Sequence, residues 1–143
     1  MRYLLVDAHS VIFSWPELYA LHRRNGLVAR EELTRRLTAY QDATGVRVVV
    51  VFDGKGTRAN SERIPGGIQV FYSGGKNSAD SIIERLAAKY AGEHEISVAT
   101  NDNLEQQTVI TFGGLAISVE ALRKELDAAD RDVTRQIRRL RNR

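Results

Sequence analysis

The run at residues 46–52 constrains the fold of this chain more than any other segment. Its centre reads Val-Val-Val-Val-Phe at residues 48–52, which is continuously apolar and mostly β-branched. Such side chains favour a strand, and a strand that is apolar on both faces is typical of the centre of a parallel sheet. The run therefore predicts a buried central strand, which ends at Asp53.

Strand-like and helical patterns alternate along the rest of the chain. Leu33, Leu37 and Tyr40 recur at helical spacing, for example, and Thr44-Gly45 follows as a helix end. Strands are predicted at residues 3–6, 46–52, 68–72, 96–99 and 115–117, and helices from about residue 15 and at 29–43, 79–90, 104–112 and 118–129. Residues 54–67 and 73–78 are polar or glycine-rich and are predicted to be loops. The alternation predicts an α/β sandwich with a mainly parallel sheet.

Aspartates follow three of the predicted strands, namely Asp7, Asp53 and Asp102, and Asp80 begins a predicted helix after a glycine-rich loop. Ligands bind beyond the carboxyl ends of the strands in open parallel sheets, so these four side chains are expected to converge there. Converging carboxylates repel one another unless a cation neutralises them, and oxygen ligands select Mg²⁺ or Mn²⁺. Such a metal clamps phosphate oxygens and activates a water for attack on a phosphodiester.

Each of these aspartates also has a local structural interpretation. Asp7 and Asp53 suit turns after strands, Asp80 suits the positive end of a helix dipole, and Asp102 suits a helix N-cap. The coincidence of all four at one edge of the sheet favours a shared metal site over four independent turns.

Other polar residues are candidates for supporting contacts around the site. Glu84 lies one helical turn after Asp80 and is either an outer contact of the metal or a partner of a neighbouring basic residue. Asn101 either binds a metal-bound water or phosphate, or stabilises its turn. The chain has no cysteine, and its three histidines show no metal-ligand spacing, so zinc is not expected.

The positive charge of the chain is concentrated at its C-terminal end. The net charge is +3, but residues 131–143 hold six arginines and one aspartate, a net charge of +5. The sequence therefore predicts a nearly neutral domain at residues 1–130 and a basic tail at residues 131–143. Such a tail indicates either contact with a polyanion such as nucleic acid or a solubilising helix end.

The location of the protein is predicted from what the sequence lacks. No apolar run approaches the roughly 20 residues of a membrane helix, and the first residues lack the pattern of a secretory signal. The chain is long enough to bury a core without disulfides. A cytoplasmic protein without a membrane partner is therefore expected.

Four motifs together resemble the NYN domain, a branch of the PIN-like ribonucleases, and within it the YacP-like bacterial family. They are Tyr-Leu-Leu-Val-Asp at residues 3–7, Val-Val-Phe-Asp-Gly at 50–54, Ser-Ala-Asp-Ser-Ile-Ile-Glu at 78–84 and Val-Ala-Thr-Asn-Asp at 98–102. The resemblance, over about residues 3–126, implies an α/β/α sandwich that cleaves RNA with a divalent metal. It places Asp7, Asp53, Asp80 and Asp102 in the acidic centre. Of these, Asp7, Asp80 and Asp102 are the predicted catalytic residues.

The chain departs from this resemblance directly after its first strand. Relatives often carry Asp-Gly-Tyr-Asn there, whereas residues 7–10 read Asp-Ala-His-Ser. Ser10, at the asparagine position, can still bond the Asp7 carboxylate or a metal-bound water. His9 either stacks on a base or fills a loop.

Basic residues in the two predicted loops are the expected contacts of the RNA backbone, unless they are simply solvated: Lys55, Arg58, Arg63 and Lys76. A flexible backbone and exposed bases favour single-stranded RNA, such as mRNA, as the substrate. The predicted activity is thus that of a metal-dependent endoribonuclease. The alternative is a non-catalytic RNA-binding or ribosome-associated module on the same fold.

Overall fold

The computed structural model describes residues 1–54, 60–63, 67–74 and 78–142, with only the backbone at residues 60–63. Strands and helices alternate along this described part of the chain. In chain order the elements are β1 (Arg2–Asp7), α1 (Ala8–Ser14), α2 (Pro16–Arg24), α3 (Gly26–Thr44), β2 (Arg47–Phe52), β3 (Asn60–Arg63), β4 (Gln69–Tyr72), α4 (Ala79–Tyr90), β5 (Glu95–Ala99), α5 (Asn103–Thr111), β6 (Leu115–Ile117) and α6 (Val119–Arg141).

The strands form one sheet in the order β3-β4-β2-β1-β5-β6. Five of them are parallel, and β3 pairs antiparallel with β4 at one edge. The register places Asp7 beside Val51 and Val6 beside Ala99, so the carboxyl ends of the central strands lie together. From β1, the chain first adds β2 and β4 on one side of β1. It then reverses direction across the sheet and adds β5 and β6 on the other side of β1. This reversal creates a crevice between the ends of β1 and β5.

Helices cover both faces of the sheet, which confirms the three-layer α/β/α sandwich with a mainly parallel sheet. Alternate residues of a strand point to opposite faces. Val48 and Val50 accordingly pack with α1, α2, α3 and α6, whereas Val49 and Val51 pack with α4 and α5. Each fully buried valine contributes about 1.5–3 kcal/mol. No helix in the described ranges is long and apolar enough to cross a membrane.

The ends of several elements follow the predicted signals. The helix at residues 79–90 and the strand at residues 115–117 have the predicted bounds. Gly45 ends α3 with a φ of 77°, a left-handed conformation that glycine adopts without steric cost.

Three features differ from the sequence predictions. α1 begins immediately after Asp7, and β3 lies within the predicted loop at residues 54–67. α6 passes its predicted end at residue 129 and continues through Arg141. Most of the predicted basic tail is therefore helical, because arginine is a good helix former and the apolar residues Val133, Ile137 and Leu140 keep a helical spacing. The division of the chain at residue 130 stays a prediction.

Candidate metal centre

Three carboxylates meet in the crevice between the ends of β1 and β5. Asp7 is the last residue of β1, Asp80 lies in the first turn of α4, and Glu105 lies in the first turn of α5. One carboxylate oxygen of each lies within 4.8 Å of those of the other two. We call these three residues the carboxylate cluster. Asp7 and Glu105 are buried, with exposures of 4% and 1%, whereas Asp80 is half-buried.

The carboxylate cluster holds on to a proton because its members are buried next to one another. Burial, together with the adjacent carboxylates of Asp80 and Asp7, raises the pKa of Glu105 to about 9. Burial also raises the pKa of Asp80, with added contributions from the charges of Asp7 and Asp102. Carboxylates behave in this way when no positive group is close enough to favour their ionised form.

Hydroxyl groups support the carboxylate cluster. The Thr100 hydroxyl lies 2.8 Å from Oε2 of Glu105 and 3.2 Å from Oδ2 of Asp7, and it accepts the Asp102 N–H over 3.1 Å. The Ser10 hydroxyl donates to Oδ2 of Asp7 over 2.9 Å. These neutral groups orient the carboxylates without neutralising their charge.

The other oxygens of the carboxylate cluster fit a hard divalent cation. Oδ1 of Asp7 and Oε1 of Glu105 are buried and have no hydrogen-bond partner in the described part of the chain. A buried polar atom without a partner costs about 1–3 kcal/mol, and more when it is charged. A cation among these oxygens would remove that cost, and a donor set made only of oxygen suits Mg²⁺ or Mn²⁺.

Two of the four predicted metal ligands lie outside the carboxylate cluster. Oδ1 of Asp102 accepts two backbone N–H groups of the first turn of α5, over 2.9 and 3.2 Å, so Asp102 is the N-cap of that helix. Asp102 is nevertheless close enough to Asp80 to raise its pKa. Asp53 is exposed, and its Oδ1 accepts the Ser73 hydroxyl over 3.0 Å. The group of three carboxylates thus contains neither Asp53 nor Asp102, although the Asp102 side chain contacts that of Asp80. Metal binding by Asp53 and Asp102 stays a prediction.

Sequence reasoning missed Glu105. The pattern Asp-x-x-Glu at residues 102–105 has the form of a capping box, in which the glutamate returns to the N–H of the capping residue. Here that N–H donates to the Thr100 hydroxyl, and the Glu105 side chain turns into the crevice. The Asp-x-x-Glu pattern therefore predicts a helix cap rather than a site residue, and it does not show that Glu105 enters the crevice.

The predicted supporting residues occupy different places. The backbone N–H of Asn101 donates to the Ser10 hydroxyl over 3.2 Å. The side-chain amide of Asn101 donates from Nδ2 to the Ser14 hydroxyl over 2.9 Å, and its Oδ1 accepts the Val119 N–H over 3.4 Å. Ser10 and Asn101 thus join the start of α1, the end of β5 and the start of α6 beside the carboxylate cluster. Glu84 is half-buried one turn further along α4, outside the cluster.

The predicted RNA-binding residues cannot be placed relative to this centre. Lys55, Arg58 and Lys76 lie outside the described residues, and only the backbone of Arg63 is described, in β3. Their contact with RNA stays a prediction. The basic end of α6 lies far along its helix, because a rise of about 1.5 Å per residue places residue 131 roughly 18 Å from the start of α6.

A mainly parallel α/β/α sandwich with buried acidic residues at its switch point is a fold that can hold a divalent metal at this edge. The family model of the YacP-like NYN domain matches residues 4–143, so the chain belongs to the YacP-like NYN family. The uncharacterized protein YacP of Bacillus subtilis (strain 168) is 32% identical over 142 residues, which cover 98% of this chain and 84% of that protein.

Solved structures of that relative agree with this assignment. The crystal structure of Rae1 (YacP) from Bacillus subtilis matches with a TM-score of 0.81 at 32% identity, over 98% of this chain and 82% of that chain. A mutant of Rae1 with leucine in place of a tryptophan matches with a TM-score of 0.84 at 32% identity, over 99% of this chain and 84% of that chain. The predicted family is thereby confirmed, and the fold agrees with a crystal structure of one of its members.

Proposed function

We propose that this protein is a metal-dependent endoribonuclease that hydrolyses phosphodiester bonds of single-stranded RNA, in particular mRNA, with Mg²⁺ or Mn²⁺ as its cofactor. The carboxylate cluster carries this proposal. Its three carboxyl groups meet within 4.8 Å, two of them are buried, and no ion pair of the described chain joins them to a lysine or an arginine. Buried carboxyl groups that the described chain leaves without an ion pair suit a bound divalent cation.

Each residue of the site has a separate role in this proposal. Asp7, Asp80 and Glu105 hold the metal, which when bound neutralises phosphate charge and activates a water. The hydroxyl of Thr100 keeps the carboxylates oriented. Asp102 accepts the Glu105 N–H as the cap of α5 and thereby positions Glu105. Asp102, one of the predicted catalytic residues, is thus proposed to contribute to the site from beside the carboxylate cluster.

The substrate is proposed from the family and from the shape of the centre. The crevice lies at the end of two strands, and unpaired RNA has a backbone flexible enough to bring one phosphate into it. Lys55, Arg58, Arg63 and Lys76 are proposed to contact neighbouring phosphates. Contacts of this kind make the affinity fall as the salt concentration rises.

Cleavage assays with a labelled unstructured RNA test the proposal. The wild-type protein is expected to cleave with Mn²⁺ and to lose activity with EDTA. Asp7→Asn keeps the shape of the side chain but removes a charge that holds the metal, so cleavage should fall at least about 100-fold. Asp42→Asn is a matched control, because Asp42 is exposed on α3 and should cleave like the wild type.

Two outcomes would overturn the metal mechanism. Cleavage that survives both EDTA and Asp7→Asn would show that another site, or a contaminating nuclease, is responsible. RNA binding without Mn²⁺-dependent cleavage would favour the alternative, a non-catalytic RNA-binding or ribosome-associated module.

A further inference from the structure

Four aromatic rings pack together on the outside of α1 and α2, and we call them the aromatic platform: His9, Phe13, Tyr19 and His22. His9 stacks on Phe13 with ring centroids 4.3 Å apart and an interplanar angle of 29°. Phe13 also contacts Tyr19 at 5.5 Å and His22 at 4.9 Å. Phe13 and Tyr19 nevertheless remain 45% and 40% exposed. Exposed large rings that lie together, rather than singly, indicate a binding surface.

The aromatic platform adjoins the carboxylate cluster along α1. Ser10 and Ser14 lie one turn apart on the side of α1 that faces the crevice, where they bond Asp7 and Asn101. The two platform residues of α1 directly precede these serines, so they lie about 100° round the helix from that side. The platform therefore begins at the rim of the carboxylate cluster and leads away from it over α1 and α2.

The hydrophobic core does not account for these rings. The core side chains of α1 and α2 are Ala8, Val11, Ile12 and Leu18, whereas the platform residues lie outside the buried set. The guanidinium of Arg23 lies 6.0 Å from the Tyr19 ring, next to Arg24 in the last turn of α2. Rings for stacking and cations for phosphate together suit single-stranded nucleic acid.

We infer that the aromatic platform is a base-stacking subsite, which holds unpaired nucleobases beside the phosphate that enters the crevice. The role of that phosphate rests on the proposed nuclease function, but the stacking of bases does not. Stacking tolerates any sequence because every base has a π face. Duplex RNA gains nothing from the platform, because its bases are already stacked on one another.

Binding assays with Phe13→Ala test this inference. The Kd for a fluorescent single-stranded RNA is measured in Asp7→Asn protein with Ca²⁺, so that cleavage does not interfere. Phe13→Ala should raise this Kd about tenfold, from the loss of stacking with one base. Phe13→Trp should restore binding, because its ring also stacks. Tyr90→Ala is a matched control, since Tyr90 is an exposed ring at the end of α4 and should leave the Kd unchanged.

Two further substrates separate stacking from a general loss of structure. An RNA of the same length with abasic positions should bind Phe13→Ala and its parent equally, and so should duplex RNA. An unchanged Kd for single-stranded RNA in Phe13→Ala, or an equal loss on abasic RNA, would overturn the subsite. Loss of stacking-dependent binding leaves the nuclease proposal standing if the wild-type protein cleaves with Mn²⁺. Stacking-dependent binding without Mn²⁺-dependent cleavage by the wild-type protein would support the subsite and contradict the proposed nuclease activity.

Discussion

Two groups of acidic side chains in this protein differ in how their charge is balanced. In the carboxylate cluster, hydroxyl groups bond Asp7 and Glu105, Asp80 bonds Glu105, and the pKa of Glu105 rises to about 9. Between α2, α3 and α6, Glu17 and Glu32 instead lie among three arginines. We call this second group the arginine-paired cluster: Glu17, Glu32, Arg35, Arg36 and Arg123.

The arginines hold these glutamates in their ionised form. Arg36 lies 2.9 Å from Glu17 and 3.0 Å from Glu32, and Arg123 lies 2.8 Å from Glu17. A hydrogen bond from Arg35, with a further one from Arg36, lowers the pKa of Glu32 to about 2, although burial opposes this. For Glu17, burial again raises the pKa, but bonds to Arg36 and Arg123 outweigh it.

The difference shows what the carboxylate cluster lacks. Where acids serve the structure, this chain supplies guanidinium groups to neutralise them. In the crevice it buries acids more deeply, and the described ion pairs include none of them, although such burial destabilises the fold. Such an arrangement is expected where a metal ion completes the charge balance.

Of the substitutions that test the difference between the carboxylate cluster and the arginine-paired cluster, Glu105→Gln should have the largest effect on thermal stabilisation by Mn²⁺. At a Mn²⁺ concentration of 100 times its Kd, the wild-type thermal midpoint should rise by about 8 °C. Glu105→Gln should show almost no rise, because glutamine keeps the shape of the side chain but loses the charge that holds the metal. Scanning calorimetry measures both, and Glu32→Gln should keep the full rise. A full rise in Glu105→Gln would show that Mn²⁺ binds elsewhere.

Thr100→Val should weaken metal binding without abolishing it. The variant keeps the size of the side chain but removes the hydroxyl that orients Asp7 and Glu105, so the Kd for Mn²⁺ should rise about 10-fold to 100-fold. Titration calorimetry gives the Kd, and Thr100→Ser should restore most of the affinity. An unchanged Kd in Thr100→Val would mean that the hydroxyl does not position the carboxylates.

Without metal, stability should fall as the pH rises from about 5 to about 9. The native state keeps the Glu105 proton up to a pKa of about 9, whereas the unfolded chain loses it near 4.5. The native state thus binds more protons in this window, and raising the pH favours unfolding. In EDTA, the thermal midpoint of Glu105→Gln should exceed that of the wild type at pH 8, and by a smaller margin at pH 5. A constant difference would contradict the raised pKa.

Glu32→Gln should have the smallest effect, and its pH dependence should have the opposite sign. The lowered pKa of Glu32 means that its ion pairs stabilise the native state above the unfolded pKa of 4.5, and that this contribution is lost as the pH falls towards 2. Because the pairs are partly exposed, the loss at neutral pH should be about 0.5 kcal/mol. Urea unfolding at several pH values measures it, and a difference that grows in acid would contradict the assignment.

The sequence by itself determined the layers of the fold and part of the site. The apolar residues 48–51 belong in a strand covered on both faces, because they are all β-branched valines and a parallel strand between two layers of helices removes both of its sides from water. Asp7 follows a strand that pairs with this one, so its place at the carboxyl edge was predictable. Asp80 lies in the first turn of a helix that packs on the same sheet, so its place near the carboxyl edge was also predictable.

Only the tertiary structure decided which acids share a site. Asp7 is the last residue of β1, whereas Asp53 and Asp102 lie beyond the ends of β2 and β5. Asp53 accepts a hydrogen bond from Ser73, and Asp102 caps α5, so neither belongs to the carboxylate cluster. Glu105 enters it from a position that reads as a helix cap. Strand ends follow from local patterns, whereas the direction of a carboxylate depends on partners distant in sequence. Thr100, which directs Glu105 and Asp7 together, becomes such a partner only when β5 lies beside β1.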